Sequence, residues 1–306
     1  MIAWLLRLAQ GVAGAGVLLA GWAGVSPAWI AGALAIGLIG HGAVLGLEQL
    51  MAAAVHGDDP VPRPGARARL RATLREMRAG WRVFGAVMPW RASVPPDRPA
   101  GRGRGVLMVH GYLCNRGVWH RASARWQAEG VAFEALTLEP PFAPIEAHAG
   151  AIDAALARLA RATGQPPLIL AHSMGGLAVR AWWASRVRAG EAPQAVTARV
   201  HRVITVGTPH RGTWLARFGR QPPAWQMRQD SAWLRDLAEV ETPAWRARLT
   251  CVHSACDNVV FPPSTACLDG AQALRLDGRA HLDLLDDPGL WARVRAEREA
   301  PDPGDP

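Results

Sequence analysis

No lysine occurs in the chain, so all 34 basic side chains are arginines, and they outnumber 25 acidic ones for a formal charge of +9. The excess follows a general Ala, Arg, Gly and Pro bias. It is not arranged as aromatic-interleaved basic patches, and no nucleic-acid-binding module is recognisable, so a nucleic-acid partner is excluded. Cysteine is scarce, with four residues among 306, and their spacing matches no metal pattern. Charge is missing altogether from the 40 residues between Arg7 and Glu48. That uncharged region is too short for the many spans of a channel or permease, and what remains is long enough for one domain with a large core.

The uncharged region holds two apolar stretches, Ile2–Gly24 and Ala28–Leu47, parted by Val25-Ser26-Pro27. Each approaches the ~20 residues that cross a bilayer. Arg7 lies near an end, where it can snorkel, and the glycines suit close helix packing in lipid. Residues 1–56 are therefore expected to form a membrane-anchoring helical hairpin. A cleaved signal peptide shares the cationic start and apolar run, but the second apolar stretch favours a retained anchor.

Residues 57–104 read as linker and one helix. GDDPVPRPG is a hinge of proline and glycine. Ala66–Val87 then carries Leu70, Leu74, Met77, Trp81 and Phe84 on one stripe, with Arg67, Arg71, Arg75, Arg78 and Arg82 largely elsewhere. Such a helix either docks on the domain or lies on anionic headgroups, and a place between domain and bilayer satisfies both. The arginines crowd the flank after the second span, which predicts a bacterial inner-membrane protein with both ends and the catalytic domain in the cytoplasm.

From 105 to 300 strands and helices alternate. Strands are expected at Gly105–Val109, Val131–Leu138, Pro167–Ala171, Val200–Val206, Leu249–His253 and Ala271–Leu276, with helices at Trp119–Glu129, Ile145–Arg161 and Met174–Arg188. Repeated strand–helix units predict a mostly parallel sheet covered on both faces, with reactive groups at the strands' carboxyl ends.

The decisive stretch is LILAHSMGGL, Leu168–Leu177, in which an apolar run stops at Ser173 and two glycines open a helix. Ala171 and Gly175 flank the serine two residues away, small enough for strand and helix to close on each other. Alanine stands where the usual Gly-x-Ser-x-Gly elbow has its first glycine. A base and an acid follow in the order Ser, Asp, His: Asp257 after the strand Leu249–His253, and His281 in LRLDGRAHLDLL before the final helix. The strand VLMV ends at His110-Gly111, after which the amide of Tyr112 can aim at the same point as that of Met174 and form an oxyanion hole.

These residues resemble the α/β-hydrolase family and its bacterial lipase and esterase branch. The resemblance rests on VLMVHGYLCNRGVW, AHSMGGLAVR, VITVGTPHRGT, CDNVVFP and DGRAHLDLL, spread over Gly105–Asp287. It implies ester hydrolysis without a cofactor and leaves the ester unidentified. A thioesterase or acyltransferase would use the same triad, and an anchored scaffold on a retired hydrolase fold is the reading from another class.

Between 213 and 247 the alternation stops, in an interval too long for a plain loop. It predicts a short helical cap whose Trp214, Trp225 and Trp233 line an acyl site, or else a helix packed on the core. Cys256 and Cys267 would clip the Asp257 loop if bridged, which conflicts with a cytoplasmic domain, so free thiols are expected. His110, His172 and His210 flank the motifs as second donors, and no metal is expected. Oligomeric state is not legible, and residues 301–306 read as a disordered tail.

Overall fold

The computed structural model describes residues 1–301, apart from the side chain at position 38. The tail expected at 301–306 falls, beyond Pro301, outside the described residues. Two long helices come first, α1 (Ile2–Trp22) and α2 (Pro27–Val55). Ser26 and Pro27 start α2, since proline at a first helical position has no amide to satisfy. Helix α2 continues eight residues past Leu47, through Glu48 and Gln49, because nothing there breaks a helix and a domain surface receives it.

Helix α3 (Ala66–Gly80) runs through a π-helical segment, Trp81–Val87, into the turn Met88–Trp90. Its orientation differs from the sequence expectation. Ala72, Glu76, Ala79 and Val83 face the domain and are buried, while Leu70, Leu74 and Trp81 of the apolar stripe are exposed. Small side chains let α3 lie close on a surface already filled by the loop after His281, and the larger apolar residues turn outward.

The α/β domain alternates β1 (Arg102–Val109), α4 (His120–Glu129), β2 (Val131–Ala135), α5 (Ala149–Thr163), β3 (Leu168–His172), α6 (Met174–Arg188) and β4 (Val203–Val206). After short helical turns come α7 (Ala232–Val240), β5 (Leu249–His253), β6 (Gln272–Arg275) and α8 (Pro288–Glu299). The six strands form one parallel sheet in the order β2-β1-β3-β4-β5-β6. Strands β2 and β3 are buried throughout; β3 accordingly reads as a continuous apolar run up to Ala171, while β2 admits Glu134, which pairs with Arg158. Edge strand β6 is largely exposed and polar.

One face of the sheet packs on α5 and α6, with Trp183 stacked on Trp245 at 5.3 Å. The other carries α4 and α8, and the N-terminal helices join that layer through Ile2, Ala79, Val83 and Met88. The order of strand addition reverses between β1 and β3, where an open parallel sheet leaves its crevice. The register keeps the strand ends level: Val109 lies beside Ala171, and His172 beside Val206.

The hairpin docks by its open end. At the start of α1, Arg7 Nε donates to Pro89 O at 2.5 Å and Gln10 Nε2 to Gly85 O at 2.7 Å. At the end of α2, Gln49 Nε2 donates to Cys256 O at 2.7 Å. A methyl group added at Gly11, Gly14, Gly16, Gly32 or Gly37 would meet nothing within 4 Å, so these glycines form no α1–α2 seam. Close approach occurs between α2 and α3 instead, where the position of a Gly80 Cβ lies 2.9 Å from His41 Cε1.

Candidate active site

Ser173 stands between β3 and α6 with φ 54° and ψ −131°, a conformation that non-glycine residues adopt only under constraint. The constraint is visible on every side. Its amide donates to Val206 O at 2.8 Å, and its carbonyl accepts from Thr208 Oγ1 at 2.8 Å. A Cβ at Gly175 would stand 2.5 Å from Val109 O, and one at Gly111 would stand 2.6 Å from the Ser173 Cβ. Ala171 is fully buried and tolerated at the elbow's first small position.

Asp257 and His281, from the loops after β5 and β6, are joined directly. His281 Nδ1 lies 3.0 Å from Asp257 Oδ2 and 3.1 Å from Oδ1. A carboxylate only accepts, so Nδ1 carries the hydrogen and Nε2 is left with its lone pair. The amides of Val259 and Val260 donate to Asp257 Oδ1 at 2.8 and 2.9 Å, which fixes the acid. Burial alone would lower the His281 pKa. The Asp257 charge, its hydrogen bond and the Glu76 and Glu48 charges outweigh burial and leave the pKa raised above 6.5.

Ser173 and His281 line one cavity of about 430 Å³. The Ser173 hydroxyl makes no hydrogen bond to His281 or to any other described group; such contacts often tighten only when substrate is bound. Among the described residues the amides of Tyr112 and Met174 likewise make no loop or side-chain hydrogen bond, beside a serine at a helix N-terminus. His110 is built into the turn: Nδ1 donates to Gly111 O at 2.8 Å and Nε2 accepts from Leu138 N at 2.9 Å. Burial holds its pKa down at about 4, so it stays neutral. His172 and His210 are likewise buried and pushed well below 6.5. No group of metal-ligating side chains occurs among the described residues, and all four cysteines are free.

The expected aromatic lining is not there. Trp214 packs edge-on against Phe218 and tilted against Phe261, Trp225 is 51 % exposed, and Trp233 Nε1 donates to Glu146 Oε2 at 3.0 Å. From the same interval Leu215, Ala216, Ala224 and Met227 line the cavity instead. The tryptophans' polar edges and bulk are accommodated at the rim, and the smaller apolar residues between them turn inward.

Two acids that sequence reading passed over reach the site from the N-terminal helices. Glu76 accepts from Leu282 N at 2.9 and 3.0 Å and from Asp283 N at 2.9 Å, bracing the segment that follows His281. Burial pushes its carboxyl up to about 7, against the backbone amides that favour the ionised form. Glu48 accepts from Asn258 Nδ2 at 2.6 Å, and Asn258 Oδ1 accepts from His281 N at 3.2 Å. A signal existed for both. Glu76 is the single acid in the arginine-rich α3, and Glu48 is the first charge after the uncharged run.

The level parallel sheet, the strained serine after β3 and the acid and histidine after β5 and β6 make this an α/β-hydrolase fold. The solved structures it resembles include lipase BlEst2 of Bacillus licheniformis in its mature form, with 15 % identity and a TM-score of 0.54 over 67 % of this chain and 95 % of that one. Lipase B of Aspergillus fumigatus matches with 17 % identity and a TM-score of 0.56, over 69 % of this chain and 57 % of that one. No family model matches the sequence, and no curated protein is significantly similar to it.

Proposed function

We propose that the protein is a membrane-anchored serine hydrolase of carboxylic esters, with lipid or other acyl esters as substrates. The observation that carries this reading is Ser173 held at φ 54° on the wall of the cavity that also receives His281, itself bonded to Asp257. In the reaction His281 Nε2 takes the hydroxyl proton as Ser173 attacks the ester carbonyl, and it returns that proton to the departing alcohol. Asp257 orients the ring and stabilises its charged form. The amides of Tyr112 and Met174 receive the oxyanion. Water, activated by the same histidine, then attacks the acyl-enzyme and frees the acid and the serine.

The apolar wall of Leu45, Phe84, Leu215 and Met227 suits an acyl chain. Retention of the anchor is favoured over signal cleavage because Leu45 and Glu48 of α2 belong to that wall. A cytoplasmic domain at the inner membrane is supported by the arginines after α2 and accords with four free thiols. A fluorophosphonate probe is expected to label the full chain covalently and to leave Ser173→Ala unlabelled. Equal labelling of both would dismiss the serine as nucleophile. A panel of ester, thioester and acyl-acceptor substrates separates hydrolysis from thioester cleavage and acyl transfer.

A further inference from the structure

Helix α3 carries three separate stripes. The buried one, Ala72, Glu76, Ala79 and Val83, lies on the domain, and Glu76, Gly80 and Phe84 form part of the cavity wall. On the opposite side Leu70, Leu74 and Trp81 are 60, 51 and 41 % exposed. Between them runs a row of arginines, of which Arg67, Arg71 and Arg78 are exposed and have no hydrogen-bond or ion-pair partner among the described residues. Large exposed apolar side chains beside unpaired guanidinium groups are what an interfacial helix presents to acidic headgroups.

The hairpin's dimensions point the same way. The hydrogen bonds of α1 to the domain reach as far as Gln10, and His41 of α2 meets Gly80 of α3, so residues 11–22 and 27–40 are the lengths of helix beyond those two contacts. At ~1.5 Å per residue these extend about 18 and 21 Å, short of the ~30 Å hydrocarbon core. For the hairpin to reach across, the surface at its base must press into the headgroup layer. That base is where α3 crosses α2.

We propose that α3 rests its outer face on an anionic leaflet while its inner face walls the serine's cavity, so that the acyl ester is drawn from the bilayer rather than from water. Only the thickness of one helix, ~10 Å, separates the two surfaces. This inference rests on the hydrolase reading for its substrate, and on the exposed stripes alone for its membrane contact.

The test uses the full chain reconstituted into phosphatidylcholine vesicles with and without phosphatidylglycerol. In a Cys267→Ser background, a fluorophore at Leu74→Cys is expected to be quenched by a headgroup-borne nitroxide, and one at Ala154→Cys on α5 is not. Equal quenching at the two sites overturns the placement of α3. Arg67→Gln/Arg71→Gln/Arg78→Gln should keep wild-type turnover of a water-soluble acetate ester. Its turnover of a vesicle-borne long-chain ester in the anionic vesicles should fall about fivefold or more, as for loss of at least one arginine at an acidic surface. An unchanged ratio of the two rates overturns delivery from the leaflet. Absence of acetate turnover in the wild type would instead defeat the hydrolase reading, and the quenching result would still decide where α3 lies.

Discussion

At the scale of single residues, Glu76 is the instructive case. Its carboxylate binds the two amides that follow His281, so it braces the segment that carries the proposed base. Glu76→Ala is expected to lower kcat about 10- to 100-fold, the cost of a misplaced catalytic group, with KM little altered. Glu76→Gln keeps an acceptor and loses the charge, so it should recover much of kcat. The charge also bears on pH. The carboxyl groups of Asp257, Glu76 and Glu48 face the imidazole and raise its pKa to the extent that they are ionised, and His172 lies tilted against it at 4.6 Å. The base works when neutral, and its pKa is raised, so kcat/KM should climb with pH through a limb above 6.5. In Glu76→Gln that limb should move to lower pH, because one charge favouring the imidazolium is gone. A pH profile unmoved in this variant would reduce Glu76 to a purely mechanical brace. Gly175 offers a stricter test of the elbow: Gly175→Ala drives a methyl into Val109 O and His110 O. The overpacking should cost about 1–3 kcal/mol, read as a fall in melting temperature together with lost probe labelling.

Among elements, the cap interval shows how side chains of one type are sorted by their neighbours. Leu215 and Met227 reach the cavity, whereas Trp225 and Trp233 stay outside it. Met227→Trp should therefore shift preference from long-chain toward acetate esters, and Trp225→Ala should leave the ratio nearly unchanged; the reverse pattern would restore an aromatic acyl site. Beneath the site, Arg180 of α6 forms a fully buried pair with Glu241 at 2.6 Å and donates to His210 O at 2.9 Å. It ties the helix behind Ser173 to the turn that holds Thr208. Glu241→Ala leaves a buried guanidinium half-satisfied, and a loss of about 3–5 kcal/mol in unfolding free energy is expected. Chemical denaturation of the purified chain measures it.

For the whole molecule, the hairpin is a component of the α/β domain as well as an extension of it. Glu48 and Gln49 bond the loop that carries Asp257. Removing residues 1–56 should consequently depress turnover even of a water-soluble ester, and undiminished turnover would make the hairpin a mere tether. The sequence by itself determined a good deal here. Continuous apolar runs fixed the buried strands, since a parallel strand covered on both faces tolerates little else, and small residues around Ser173 announced a tight turn because the backbone needs the room. The order Ser173, Asp257, His281 was legible for the same local reason, each lying just past a strand. What only the tertiary structure decided were relations between distant segments: which face of α3 meets the domain, which cap residues turn inward, and that acids 181 and 209 positions before Asp257 close on its loop and its partner's. Helical periodicity states that a helix has faces, but a face is assigned only by what packs against it, and that is a property of the folded chain.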